Sequence, residues 1–163
     1  MDVLITRAIS LWQPWATLAA LRAKRYETRS WYTDYRGPLA LHATASTPAA
    51  VLAACAADPH IMAALQAAGL SLATLPQGAI VAITTLGEVA QIQEHPQAYA
   101  GAVLDPAQLT PAQRAYGDYR HGRFAWTLDD TQALSIPVPC AGRQRIWHLP
   151  PAVQQQQLAI LTR

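Results

Sequence analysis

Gly78-Ala-Ile-Val-Ala-Ile-Thr-Thr-Leu-Gly-Glu-Val89 is the stretch whose reading decides the fold. It is β-branched and apolar, opens on a glycine, and reads as a strand. Working outward, Leu39–Ala43 is a second apolar strand interrupted only by His42, and Asp34–Pro38 before it is turn material. Arg25–Trp31 and Arg7–Ser10 are further short strands. Between those two, Pro14 opens a helix that runs to about Ala23, with Trp15, Leu18 and Leu21 on one face. Thr47 and Pro48 supply an N-cap and first-turn proline for an alanine helix to about Ala57. Asp58–Pro59 breaks it, and a second run ends at Gly69. Downstream, 90–115 has no clean period and reads as a long loop with short helical pieces. Arg123–Leu128 is a strand, Ala133–Pro137 its partner after a turn at Asp129–Asp130, and Arg145–His148 the last strand. Pro150–Pro151 starts a C-terminal helix to Leu161. Short strands with helices inserted between them and flanking them predict an α+β fold, a small mixed barrel, not a doubly wound sheet. One domain is expected over residues 1–163, with its core at 7–148 and the C-terminal helix at 150–163.

The composition narrows the function classes. No apolar run reaches the ~18–20 residues of a membrane span, and no leader pattern is visible. The two cysteines, Cys55 and Cys140, form no CxxC pair, so a reduced, cytoplasmic protein is expected. Eleven arginines and one lysine, Lys24, face ten carboxylates, a formal net charge of +2. That charge is unevenly distributed. Residues 1–36 hold six basic and three acidic side chains, residues 114–163 repeat that balance, and residues 37–113 hold no lysine or arginine and four acids. Eleven of the twelve aromatic residues also lie at the two ends, leaving only Tyr99 between. The ends are therefore expected to meet in an arginine- and tryptophan-lined face. The net charge is too small for tight non-specific duplex binding and suits a nucleotide or a single strand.

Lys24 stands out because every other basic position is arginine, and only an ammonium can lose its proton on desolvation. Glu27 and Arg29, two apart on a strand, share a face, and Lys24 reaches them from the helix-to-strand turn. They form either a charge cluster, with Arg29 holding a phosphate or carbonyl, or an ordinary structural ion pair. Glu88 is either a second carboxylate of that site or a solvated strand end. Trp12, Trp31 and Trp126 are candidate stacking surfaces, with Trp12 or Trp126 placed near the cleft and Trp15 and Trp147 in the core. Arg36, Arg123 and Arg145 are candidate phosphate contacts. His42 is either a satisfied core histidine or a general base. The five histidines show no metal-ligand spacing, and there is no P-loop, dinucleotide fingerprint or nucleophile elbow, so no metal or cofactor is expected.

Three stretches taken together carry a family resemblance. They are Ser10-Leu-Trp-Gln-Pro-Trp-Ala followed by Lys24-Arg-Tyr-Glu27-Thr-Arg29-Ser-Trp; Tyr35-Arg-Gly-Pro-Leu-Ala-Leu-His42-Ala; and Gly78-Ala-Ile-Val-Ala followed by Gly117-Asp-Tyr, Gly122-Arg-Phe-Ala-Trp126-Thr-Leu and Ile146-Trp147. The ordered set resembles the ASCH family. The resemblance implies a PUA-like β-barrel beside a cleft lined by the Lys24–Arg29 segment, and an association with nucleic acids. It also implies hydrolysis as one activity, since one branch of the family cleaves the amide of N4-acetylcytidine with a lysine, a threonine and a glutamate, and ribonuclease activity is attributed to another member. Lys24 matches that lysine; Glu27 stands where the branch has its threonine, and Arg22 where a glycine is common. On this resemblance Lys24, Glu27 and Glu88 are the candidate catalytic residues, and Trp12, Gln13, Arg29, Arg36, His42, Arg123 and Trp126 the candidate ligand contacts. The expected partner is a nucleoside or single-stranded nucleic acid, bound by a monomer or weak homodimer. The alternative is a module that binds such a ligand without altering it.

Overall fold

The computed structural model describes residues 4–96 and 101–154. The strands are β1 (Arg7–Leu11), β2 (Tyr26–Arg29), β3 (Gly37–Ala43), β4 (Ala79–Ile92), β5 (Val103–Leu104), β6 (Phe124–Pro139) and β7 (Ile146–His148). The helices are α1 (Trp15–Ala20), α2 (Ala49–Ala56), α3 (Pro59–Ala67), α4 (Pro111–Ala115) and α5 (Pro151–Gln154). All seven strands join one sheet in the order β2-β6-β4-β3-β1-β7, with β5 added alongside β4. The sheet is mixed: β1 runs parallel to β3 and β5 to β4, whereas the remaining pairs are antiparallel.

The near-continuous apolar run at the start of β4 has a direct cause. Val81 and Ala82 pack with Leu39, Leu41 and Trp126 in one cluster, while Ile80 packs with Ala8, Ala40, Leu134 and Trp147 in another. Both faces of the strand are covered, so the alternation of a half-exposed strand is absent. Helix α1 is also buried on more than one side. Its Ala16, Ala19 and Ala20 sit against the sheet, and Leu18 faces Cys55, Ile61 and Leu65 of α2 and α3.

Several expectations are corrected. Helix α1 ends at Ala20 and not near Ala23 because the chain enters a left-handed turn at Arg22, φ 62°. There Arg22 N–H donates to the Ala19 carbonyl and Ala23 N–H to that of Leu18, the two bonds of a Schellman cap. The left-handed position is one that glycine takes without strain; here it is arginine, whose Nε donates to the Thr131 carbonyl at 2.5 Å. Thr47 does not cap α2. Pro48 precedes that helix without a side-chain cap, and Thr47 Oγ1 accepts the backbone N–H of Gln13 at 3.2 Å. Asp129–Asp130 is not a hairpin turn: β6 runs through it, and both of its halves pair with β4. The two aspartates sit at a register shift, where Ile83 faces Gln132 and Thr85 faces Asp129, so β6 carries an extra residue and Asp130 adopts φ 49°. The 90–115 segment contains the end of β4 together with β5 and α4. Of the C-terminal helix, Pro151–Gln154 is helical, and its continuation to Leu161 lies outside the described residues, as does Tyr99.

Candidate functional site

A cavity of about 730 Å³ opens where the two ends of the chain come together. Its lining runs from Ser10 to Trp31 and from Tyr116 to Arg145, and the uncharged-to-acidic middle contributes only Thr44. The expected convergence of the basic, aromatic ends is therefore the geometry of this cavity.

Its inner wall is a buried charge cluster. The Schellman turn after α1 delivers Lys24 to the start of β2, where it is 2% exposed. Lys24 Nζ donates to the Tyr116 carbonyl at 2.5 Å and lies 3.5 Å from Glu27 Oε1. Strand parity brings Glu27 and Arg29 to one face, and Arg29 Nη2 donates to Glu27 Oε2 at 3.0 Å and to the Ser10 carbonyl at 2.7 Å. Glu27 Oε1 also accepts the Thr28 backbone N–H at 2.9 Å. Burial pushes the Lys24 ammonium below its ordinary value of 10.5, against the pull of Glu27. Burial also opposes ionisation of Glu27, but Lys24, Arg29 and the Thr28 N–H outweigh it and hold the carboxyl below its ordinary 4.5.

Next to this cluster, Thr28 Oγ1 accepts the Asp118 backbone N–H at 3.0 Å, and Arg123 donates to the Asp118 and Thr28 carbonyls. Gly117 is packed so closely that a Cβ there would lie 2.9 Å from Tyr119 and 3.1 Å from Thr28. At the rim the character changes. Trp12 is 46% exposed, and Trp31 meets Trp126 edge to face at 4.7 Å. The Arg145 guanidinium lies 4.0 Å over the Trp31 ring, with Arg143 and Gln144 beside it on the same cavity.

Residues 9–135 match the family model for the ASCH domain. The chain belongs to the ASCH family. Two solved structures, ASCH from Zymomonas mobilis and a tyrosine-to-phenylalanine mutant of it, align at a TM-score of 0.50. They are 16% and 15% identical and cover 94% of this chain and 93% and 95% of their own. That likeness is one of fold, and it agrees with the α+β, PUA-like architecture expected from the motifs. A 40-residue stretch is 52% identical to Activating signal cointegrator 1 of Homo sapiens and 50% to that of Mus musculus. The match covers 24% of this chain and 7% of those relatives' length.

Within this ASCH fold the expected site residues separate. Lys24, Glu27, Arg29, Arg123 and Trp12 all line the cavity; Glu88, Gln13, Arg36, His42 and Trp126 do not. Glu88 is exposed beside a register shift of β4 and lines a different, smaller pocket with Arg36 and Tyr32. Arg36 donates to the Thr33 and Tyr35 carbonyls and lies over the Tyr32 ring. Gln13 is buried and clasps the chain, donating to the Pro76 carbonyl and accepting the Thr17 N–H. His42 is a satisfied core histidine, with Nδ1 2.9 Å from Ser10 Oγ and Nε2 2.7 Å from the Cys140 carbonyl. Burial lowers its pKa. Trp126 is wholly buried because β6 is central in the sheet, between β2 and β4. Trp15, expected in the core, is half-buried against two of the core clusters and also lines the cavity, while Trp147 is buried as expected.

The cavity also uses residues that the sequence reading missed, chiefly Arg143, Gln144, Tyr116 and Asp118. Their signal was available: both segments fall in the basic, aromatic C-terminal third. Among the described residues no three His, Cys, Asp or Glu side chains gather as a metal site. No single described helix is long and apolar enough to cross a membrane.

Proposed function

We propose that this ASCH domain binds a nucleobase-bearing ligand, a nucleoside or a base of a single strand, in the cavity between its two ends. The observation that carries this reading is the convergence there of Trp12, Trp15 and Trp31 with a buried Lys24–Glu27–Arg29 cluster. Aromatic faces stack on any base, and a fixed donor-and-acceptor array distinguishes base edges. The family resemblance to nucleic-acid-associated domains agrees with it. A cytoplasmic setting, one domain over 1–163 and a monomeric or weakly dimeric state belong to the same reading. Titration of intrinsic tryptophan fluorescence with the four ribonucleosides and with short single-stranded RNA tests it. Saturable quenching that weakens in Trp12→Ala is expected; no response to any of these ligands overturns it.

A second reading, hydrolysis of an N4-acylated cytidine, is favoured by one feature, the desolvated amine of Lys24 beside an ionised Glu27. In that reaction water adds to the acyl carbon, and the bond to the cytosine nitrogen breaks. Glu27 takes the water's proton and returns it to the leaving nitrogen, giving cytidine and a carboxylic acid, while the Lys24 ammonium stabilises the developing oxyanion. Glu27 orients Lys24, and Arg29 orients the substrate. Incubation with N4-acetylcytidine and chromatography for cytidine tests it, with turnover expected to vanish in Lys24→Ala. Full turnover in that variant, or none in the unaltered protein, contradicts it.

A further inference from the structure

The charges around the cavity are not equivalent. Glu27 is flanked by Lys24 and Arg29, and Asp118 by Arg120 and Arg123. The wall cations Lys24, Arg29 and Arg123 therefore already face a protein carboxylate. Arg143 and Arg145 line the same cavity, are exposed, and meet no carboxylate among the described residues. The surplus positive charge of the cavity therefore sits on one loop, between β6 and β7.

That loop is held in place from beneath. The Cys140 carbonyl is 2.7 Å from His42 Nε2, and the Arg143 carbonyl accepts from Ser10 Oγ at 3.4 Å. Trp147 Nε1 donates to the same Ser10 hydroxyl at 3.2 Å. Gly142 lies so close to this base that a Cβ would come within 2.6 Å of the His42 ring and 2.8 Å of Ser10 Oγ. Arg145 turns back through φ 61° and sets its guanidinium 4.0 Å from the centroid of the Trp31 ring. Two unpaired guanidinium groups on an anchored loop, one already stacked on the aromatic wall, have the planar donor geometry that matches phosphate.

We propose that Arg143 and Arg145 form a phosphate subsite at the cavity rim, so that the ligand class is a phosphate-bearing nucleotide and not a free nucleoside. This rests on the reading of the cavity as a base-binding site. Arg29, engaged by Glu27, is then not the phosphate contact. His42 and Ser10 are positioning residues for the loop.

The test compares the affinities of the four ribonucleosides, their 5′-monophosphates and a dinucleoside monophosphate. The proteins compared are the unaltered chain, the double variant Arg143→Ala/Arg145→Ala, and Arg114→Ala as an exposed control outside the cavity. At least one monophosphate or the diester is expected to bind tenfold or more tightly than its nucleoside. That margin is expected to collapse in the double variant, with nucleoside affinity retained and Arg114→Ala unchanged. Tighter binding of the diester assigns the phosphate to a strand, and tighter binding of the monophosphate to a free nucleotide; either supports the subsite. Equal affinities for nucleoside and nucleotide, or a preference that survives in the double variant, overturn the subsite and leave the base-binding cavity standing. No binding by any ligand overturns both.

Discussion

On the inner wall of the cavity, Lys24 and Arg29 converge on Glu27, and every one of the three is tied to the protein by hydrogen bonds or ion pairing. On the rim, Arg143 and Arg145 are exposed and meet no carboxylate among the described residues. The difference follows from solvation. A buried charge loses water and is tolerated only with partners, so the wall's cations are matched within the fold. An exposed guanidinium stays hydrated at little cost and remains available to an incoming anion. Two sets of basic residues that look alike in sequence thus have separate duties, one holding the cavity's shape and the other meeting what enters it.

The sharpest way to break the contrast is to remove the wall's only glutamate. Glu27→Ala leaves Lys24 buried without its counter-charge and is expected to cost about 3–5 kcal/mol in urea unfolding. The rim variants Arg143→Ala and Arg145→Ala are expected to stay within about 0.5 kcal/mol each. Equal costs for wall and rim would erase the distinction. Next in size is Gly142→Ala, which forces a methyl against His42 and Ser10 and is expected to destabilise by about 1–3 kcal/mol. It is also expected to weaken nucleotide binding by displacing the arginines, and calorimetric titration checks this. Trp12→Ala is expected to leave stability nearly unchanged, because the ring is already 46% exposed. Its effect falls on binding, at about 1–3 kcal/mol for a lost stacked base.

The smallest effect is the wall's share of the pH dependence. Glu27 titrates lower in the folded state than its ordinary 4.5, so its contribution is present above that value and is lost as pH falls through the folded value. Lys24 also titrates lower when folded. Between its folded value and 10.5 the unfolded chain binds the extra proton, and stability rises with pH. The difference in unfolding free energy between the unaltered protein and Lys24→Met, taken from urea unfolding between neutral pH and about pH 10, is expected to shift in favour of the unaltered protein as pH rises. A difference that does not change with pH would contradict that contribution.

Strand parity made the Glu27–Arg29 pair legible, because residues two apart on a strand share a face whatever the tertiary context. Lys24 was legible as the single exception in an arginine-only composition. The charge partition foretold which segments would line the cavity. Other features depend on neighbours that no local pattern reveals. Trp126 and Trp12 look equally suited to stacking, yet one lies on a central strand covered by Trp31 and the other stays exposed at the rim. Asp129–Asp130 has the composition of a turn, and pairing with β4 keeps it inside a strand as a bulge. His42 interrupts an apolar strand because it anchors the 140–145 loop, about a hundred residues away in sequence, and only the folded register shows it.

The most direct test of the separation between wall and rim is the salt dependence of short single-stranded RNA binding. Each phosphate contact on a single strand contributes about 0.7 to the slope of log affinity against log salt. The slope is expected to flatten by about 0.7 in Arg143→Ala/Arg145→Ala, for the one phosphate that the subsite holds, and to stay unchanged in Lys24→Met. A slope untouched by the rim variant, or flattened by the wall variant, would contradict the account.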